Sequence, residues 1–163
     1  MENEIKYPET FKFECDLKKW LNENNIKYLW VFIFKNRDWK YSDLEGFEHL
    51  YRNGVELTKG IKAKWAYSYG NGYWSYRDEQ GLYHICNGVE ITKGIKARFA
   101  WYCDKGYWGY TDLEGFDHLF RDGKELTAGL KALEVDYFED GTWECYDQMG
   151  EWYKFDKDNN KIS

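Results

Sequence analysis

The sequence predicts an all-β protein: an array of about 35-residue, three-stranded antiparallel meander repeats forming a twisted open sheet or solenoid, with a short N-terminal helix or cap. Three observations predict it. Trp39, Trp74, Trp108 and Trp143 recur at separations of 35, 34 and 35 residues. Around them, stretches such as WKYS, FEHLY and KAKWAYSY alternate aromatic or apolar residues with polar ones, the period-two signature of strands with one packed face. Between these stretches stand Asp-x-x-Gly, Asn-Gly and Asp-Gly steps, the chemistry of tight turns.

The elements follow in order. Residues 1–25 form the cap, because ECDLKKWLNENN (14–25) leaves the repeat pattern and sets Leu17, Trp20 and Leu21 at helical spacing behind Asp16, a candidate N-cap. Residues 26–38 are a half repeat, since IKYLWVFIFKNRDW (26–39) aligns without a gap on IKAKWAYSYGNGYW (61–74). Repeats one to three occupy 39–73, 74–107 and 108–142, and a truncated fourth occupies 143–163. Each tryptophan is followed two residues on by Tyr41, Tyr76, Tyr110 or Cys145, and four on by Asp43, Asp78, Asp112 or Asp147. Gly46, Gly81, Gly115 or Gly150 stands seven residues on, and His49, His84, His118 or Tyr153 ten on. The first three copies continue as NGVELTKGIKA, NGVEITKGIKA and DGKELTAGLKA, with Asn53-Gly54, Asn87-Gly88 and Asp122-Gly123 as hairpin turns and ELTKG as a short strand or loop. A third turn falls at Gly70-Asn71-Gly72, Asp104-Lys105-Gly106 and Asp140-Gly141. A period of about 35 is short for a four-stranded propeller blade of roughly 40 to 45 residues, which favours the open array over a closed propeller-like ring.

A chain of 163 residues is expected to form a single domain, 1–163, and to bury roughly two-thirds of its unfolded surface. At 21% aromatic and 32% charged, it is too aromatic for disorder and too charged for a membrane protein. No apolar run approaches the roughly 18 residues of a spanning helix, and MENEIKYPET lacks a signal-peptide core, so the chain is expected to be cytoplasmic. Cys15, Cys86, Cys103 and Cys145 are spaced by 71, 17 and 42 residues with no CxxC, and Cys86 and Cys145 replace aromatic or apolar residues of other copies. They read as reduced structural thiols rather than disulfides or a zinc site. A net charge of −6 disfavours nucleic acid and favours a partner with a basic surface.

His49, His84 and His118 are the chain's histidines, all at one repeat position. Closure around a threefold axis would let them converge on zinc or another divalent ion; an open array lays them out as a ladder of packing residues. The ladder is the favoured reading, and no cofactor is expected. Asp43, Asp78, Asp112 and Asp147 are explained by the turns they open, and Glu56, Glu90 and Glu125 recur with them. A carboxylate pair can do acid-base work, but catalysis needs one asymmetric constellation rather than a residue duplicated in every copy. No G-x-S-x-G, P-loop, H-E-x-x-H or Cys-His pairing is present, so no enzyme is expected. Lys59, Lys62 and Lys64 recur as Lys93, Lys96 and Arg98, with Lys131 in the third copy. As a strand they would make a basic stripe, read as a solvated face that discourages edge pairing before a single-stranded nucleic-acid site. Tyr67, Tyr69, Tyr73, Tyr76, Trp101, Tyr102 and Tyr107 cluster around the third turn and are the candidate partner-binding residues, a patch that would also stack on sugars or cationic ligands.

WGYTDLEG (108–115), with WKYSDLEG and YWSYRDEQG behind it, resembles the opening of bacterial WG or KWG repeats, in which Trp-Gly-Tyr and then Asp and Gly begin a β-hairpin unit. The aromatic strand and its turn are also similar to choline- and glucan-binding repeats of surface proteins. The resemblance covers 39–155 at about four positions per copy; ELTKGIKA belongs to neither pattern, and of the four repeat tryptophans Trp108 alone precedes a glycine. It implies a binding or scaffold role and brings no catalytic residues. These readings predict a non-enzymatic protein-binding repeat module of bacterial or phage origin, an acidic inhibitor, immunity or antitoxin-type protein. The alternative is a carbohydrate or small-ligand module using repeated aromatic sites.

Overall fold

The tryptophan period becomes a succession of antiparallel sheets. The structure, a computed structural model, describes residues 5–103 and 106–163, so Asp104 and Lys105 of the third-copy turn and the first residues of MENEIKYPET lie outside the described residues. Helix α1 spans Glu14–Glu23. The first sheet orders β1 (Trp30–Ile33), β2 (Trp39–Ser42), β3 (Glu48–Arg52) and β4 (Val55–Glu56). The second holds β5 (Trp65–Gly70), β6 (Tyr73–Arg77), β7 (Tyr83–Asn87) and β8 (Val89–Glu90). The third holds β9 (Phe99–Tyr102), β10 (Tyr107–Thr111), β11 (Asp117–Arg121) and β12 (Lys124–Glu125), and the fourth β13 (Ala132–Tyr137), β14 (Trp143–Asp147) and β15 (Trp152–Phe155). Three longer strands therefore build each meander, but the first of them comes from the copy before: β1 lies in the half repeat 26–38 and β5 in 39–73, and a two-residue strand running into ELTKG is added where that segment is present. Two of the three predicted hairpin turns are mirror-image turns, with φ of 50° and 75° at Asn53 and Gly54 and of 50° and 77° at Asp122 and Gly123; at the second, Gly88 alone takes a positive φ, 72°. The chain divides into two compact units, one running to Gly81 and including Cys86–Val89, the other made of Leu82–Ile85 and Glu90–Ser163.

In the first unit, α1 buries Leu17 and Leu21 with Phe11 against Val31, Trp39, Tyr41 and Tyr51 of the first sheet. Asp16 is not its N-cap. The helix begins earlier, with Phe13 as a cap without a side-chain bond; the Asp16 amide already donates to Phe13 O, and its carboxylate sits with Glu14 in the first turn, where the helix dipole favours acids. Trp39 stacks on Tyr51 at 4.2 Å, and its indole N–H donates to Pro8 O at 3.3 Å. Because side chains alternate across a strand, the opposite face of the first sheet, with Phe34 and Leu50, packs on Ala66, Trp74, Tyr76 and Cys86 of the second. Between these sheets lies a buried ion pair. Lys40 Nζ donates to Glu48 Oε2 at 2.5 Å and to Ala66 O at 2.6 Å, while Ala66 N donates to Glu48 Oε2 at 2.7 Å. Burial lowers the Lys40 pKa against the opposing pull of Glu48.

The second unit repeats this packing. Cys103, Tyr107 and Leu119 pack with Ala132, Trp143, Cys145 and Phe155. Trp143 stacks on Phe155 at 4.1 Å and donates to Asn159 Oδ1 at 2.8 Å, so a C-terminal turn satisfies its indole as Pro8 satisfies that of Trp39. Trp101 explains the Trp-Gly step of the third copy: a Cβ on Gly109 would lie 2.4 Å from Trp101 Cζ2 and 2.7 Å from His118 O. Cys86, Cys103 and Cys145 are buried thiols and Cys15 is exposed. Cys86 occupies the position from which Tyr51, Phe120 and Phe155 stack on their tryptophans. Among the described residues no helix is long and apolar enough to cross a membrane.

Two substitutions test this packing. Gly109→Ala, which meets both a ring and backbone, is expected to destabilise the protein by about 1–3 kcal/mol. Glu48→Ala, which strands the Lys40 ammonium between Trp30 and Phe34, is expected to cost about 3–5 kcal/mol. Urea unfolding followed by tryptophan fluorescence measures both, and a change within about 0.5 kcal/mol for either would refute the corresponding contact.

Candidate functional site

The repeated polar residues come together as one hydrogen-bond relay. The Asp43 Oδ1 oxygen accepts the amides of Glu45 and Phe47, fixing the turn, while Oδ2 lies 3.0 Å from His49 Nε2. His49 Nδ1 lies 2.7 Å from Glu56 Oε1, which accepts from Thr58 Oγ1 at 3.3 Å; that hydroxyl in turn accepts the buried Leu50 amide at 3.0 Å. The third copy reproduces every step through Asp112, His118, Glu125, Thr127 and the Leu119 amide. In the second, His84 pairs with Glu90 at 2.7 Å and Thr92 accepts the Ile85 amide at 3.0 Å. His49 and His118 also stack on their cross-strand partners Tyr41 and Tyr110, at 4.7 and 4.5 Å.

These contacts set the charges. The His49 pKa is raised, chiefly by the hydrogen bond to Glu56, against burial and with help from Asp43. For His118 burial is the largest influence and lowers the value, but the bonds to Glu125 and Asp112 outweigh it. Burial would raise Asp43 and Asp112; hydrogen bonds from the histidines and the turn amides hold both below the usual carboxylate range. Each described histidine is thus held by carboxylates of its own repeat, and among the described residues no group of three or more His, Cys, Asp or Glu side chains is placed to hold a metal. Glu56, Glu90 and Glu125 with Asp43 and Asp112 serve these relays, while Asp78 and Asp147 accept turn amides from Gln80 and from Met149 and Glu151. Sequence reasoning singled them out but not the threonines, whose signal was the invariance of E-[LI]-T through three copies.

The candidate partner-binding residues fall into three groups. Tyr76 and Tyr107 are buried, which corrects their assignment to a surface patch. Tyr76 belongs to the core between the first two sheets, and Tyr107 stacks on Tyr137 at 5.2 Å while its hydroxyl accepts from Arg121. Trp101 and Tyr102 are half-buried, Trp101 over Gly109. Tyr67 is exposed, with Tyr69 and Tyr73 half-buried. Tyr67 is the centre of a ring run within the first unit: Phe32 meets Phe34 at 4.9 Å, Phe34 meets Tyr67 at 5.3 Å, and Tyr67 meets Trp65 at 5.6 Å and Tyr69 at 5.0 Å. Phe32 is 44% exposed, Tyr67 41% and Trp30 40%, with Lys40 Nζ 5.1 Å from the Trp30 ring centroid. Trp30, Phe32 and Trp65 were missed, although W-x-F-x-F and W-x-Y-x-Y carry the same alternation one repeat apart.

The basic stripe does not form. Residues 61–64 precede β5 rather than lie in it, because Gly60 (φ 77°) and the Ile61 N–Thr58 O bond turn the chain there. Lys62 and Lys64 instead lie over the Phe47 ring, at 5.5 and 3.9 Å. A shallow cleft of about 810 Å³ lies between the N-terminal segment and the β3–β4 turn, with Tyr7, Tyr51, Glu56 and Lys59 in its walls.

No family model and no curated protein matches the sequence. Solved structures do resemble it in backbone trace. One described as YCF48 bound to D1 peptide is 13% identical, with a TM-score of 0.43, covering 83% of this chain and 53% of its own. The computationally designed Ika8 protein is 10% identical, with a TM-score of 0.43 and coverages of 82% and 47%. The C-terminal WD40 domain of Sif2 is 11% identical, with a TM-score of 0.39 and coverages of 81% and 44%. The chain spans about half the length of these structures.

The relay has a pH signature. His49 and His118 take folded values above their ordinary 6.5, so their stabilisation is complete below that pH and is lost as pH rises through the folded values. Asp43 and Asp112, depressed below 3.8, contribute above that pH and lose their contribution as pH falls through their folded values. NMR titration is expected to place both imidazoles above 6.5, with stability declining through that same rise and less so in His49→Gln/His118→Gln. Imidazoles titrating at or below 6.5 would contradict the relay.

Proposed function

We propose that the protein is a non-enzymatic, protein-binding repeat module whose contact surface includes the ring run Phe32, Tyr67, Trp65 and Tyr69 with Trp30. The observation that carries this reading is the exposure of large rings directly above a fully stitched interior. Lys40, Glu48 and Leu50 beneath them are buried, so the rings are not needed to close the core between the first two sheets. Clustered aromatic side chains that contact one another and face water supply large contact area at low entropic cost, as interface centres do. The repeated carboxylates and histidines are occupied by the relays, and this supports binding over catalysis. A net charge of −6 on a 163-residue chain further supports a partner with a basic surface, the situation of an acidic inhibitor, immunity or antitoxin-type protein.

Phe32→Ser/Tyr67→Ser tests the surface, because both side chains are exposed and neither belongs to the buried core. The wild type is expected to capture a stoichiometric protein partner from its native cell and the variant to bind that partner at least about 10-fold more weakly, with unchanged near-ultraviolet circular dichroism. Equal binding by both proteins would contradict the assignment. Quenching of tryptophan fluorescence by glycans, with no protein partner, would replace it with a carbohydrate module.

A further inference from the structure

The outward face of the fourth sheet departs from the pattern of the other three. Across β13, β14 and β15 it sets Glu134, Tyr146 and Trp152 in one row and Asp136, Glu144 and Lys154 in the next. The position of Lys154 is Leu50 in the first sheet, Ile85 in the second and Leu119 in the third, all fully buried. A sheet face open to solvent is expected to be polar, and that requirement explains the lysine and the acids. It does not explain Trp152, 50% exposed where the first and third sheets carry Glu48 and Asp117 and the second carries Tyr83. Nor does it explain Tyr146, where the first, second and third sheets carry Ser42, Arg77 and Thr111. The last copy thus sets two aromatic rings side by side, 5.2 Å apart, on a face that solvent reaches.

The same face cradles a cation of its own. Lys154 Nζ lies 2.9 Å from Glu144 Oε1 and 5.4 Å from the Phe138 ring centroid, so a carboxylate and a ring hold one ammonium between them. Glu134 and Asp136 beside Tyr146 and Trp152 offer the same pair of ligand types along the neighbouring rows. Three acids against one lysine leave the face negative. That charge opposes a second copy of the chain, which would bring the same acids together, and opposes nucleic acid.

We propose that this face docks a basic segment of a partner protein, its Arg or Lys side chains stacking on Trp152 and Tyr146 and pairing with Glu134 and Asp136. It is a second surface, carried by observations independent of the ring run in the first unit.

The test uses the full chain and a short arginine-glycine peptide, followed by fluorescence anisotropy at about 0.1 M salt. Glu134→Lys/Asp136→Lys is expected to weaken binding at least about 10-fold, whereas Glu45→Lys/Glu114→Lys, an equal charge change at exposed turn positions, weakens it less than about 2-fold. Trp152→Ser is expected to weaken it several-fold, by losing the stacking platform. Absence of peptide binding, equal losses in the two charge variants, or unchanged binding in Glu134→Lys/Asp136→Lys would each overturn the proposal. Sedimentation of the unliganded protein adds a further arm: a monomer is expected, and a dimer abolished by Glu134→Lys/Asp136→Lys would make the face a self-interface and overturn it. Phe32→Ser/Tyr67→Ser is expected to bind the peptide as the wild type does, so this surface and the one in the first unit fail or stand separately.

Discussion

A buried strand amide must find an acceptor, and in three of the four sheets one finds a threonine hydroxyl. The fourth strand of each of these sheets is only two residues long, and its ladder ends with the Leu57, Ile91 and Leu126 amides donating to the Leu50, Ile85 and Leu119 carbonyls, so the amides of those three residues need another acceptor. Thr58, Thr92 and Thr127 take over at that point, essentially without solvent exposure. Everything else in the repeat arranges itself around that bond. A glutamate accepts from the hydroxyl, a histidine holds the glutamate, and in the first and third copies an aspartate holds the histidine while opening the turn. One chain of polar contacts ties the turn, the long strand and the short strand of a meander, and leaves the aromatic rings to fill the space between sheets.

Alternation then decides what each sheet face does. In the first and third sheets one face carries the tryptophan stack and the other packs onto the next sheet of the same unit, so the tryptophan face of the first sheet and the far face of the fourth need separate treatment. On the first sheet the N-terminal segment and α1 provide it, down to the Pro8 carbonyl that receives the Trp39 indole. On the fourth sheet, polar substitution provides it, and Lys154 stands where aliphatic residues were buried. The positions that differ between copies are therefore where chemistry changes. Lys40, Ser75, Gly109 and Glu144 occupy one repeat position and become a buried ion pair, a small buried contact, a seat for Trp101 and a half-buried acid.

Much of this architecture was legible because period and turn chemistry are local. The tryptophan spacing, the Asp-x-x-Gly turns, the Asn-Gly hairpins and a helix around Leu17 and Leu21 all follow from neighbours in sequence. What was not legible depends on partners far along the chain. Whether Tyr76 and Tyr107 face water depends on which sheet covers them, and period two does not say which of a strand's faces meets that sheet. Asp16 was misplaced as a cap because helix starts shift easily by a turn when no side chain caps them. The relay was half legible: the histidines, aspartates and glutamates were conspicuous as repeated polar residues, and the threonine that gives them a purpose looked like an ordinary strand residue.

The repeated polar residues specify architecture by supplying acceptors to buried strand amides. Amide hydrogen exchange on the intact protein tests it most directly. The amides of Leu50, Ile85 and Leu119 are expected to be protected as strongly as those inside the longer strands, and Thr58→Val, Thr92→Val and Thr127→Val each to release only their own amide and its neighbours. Exchange of these three amides at the rate of exposed loops, in a protein whose strand centres remain protected, would contradict it.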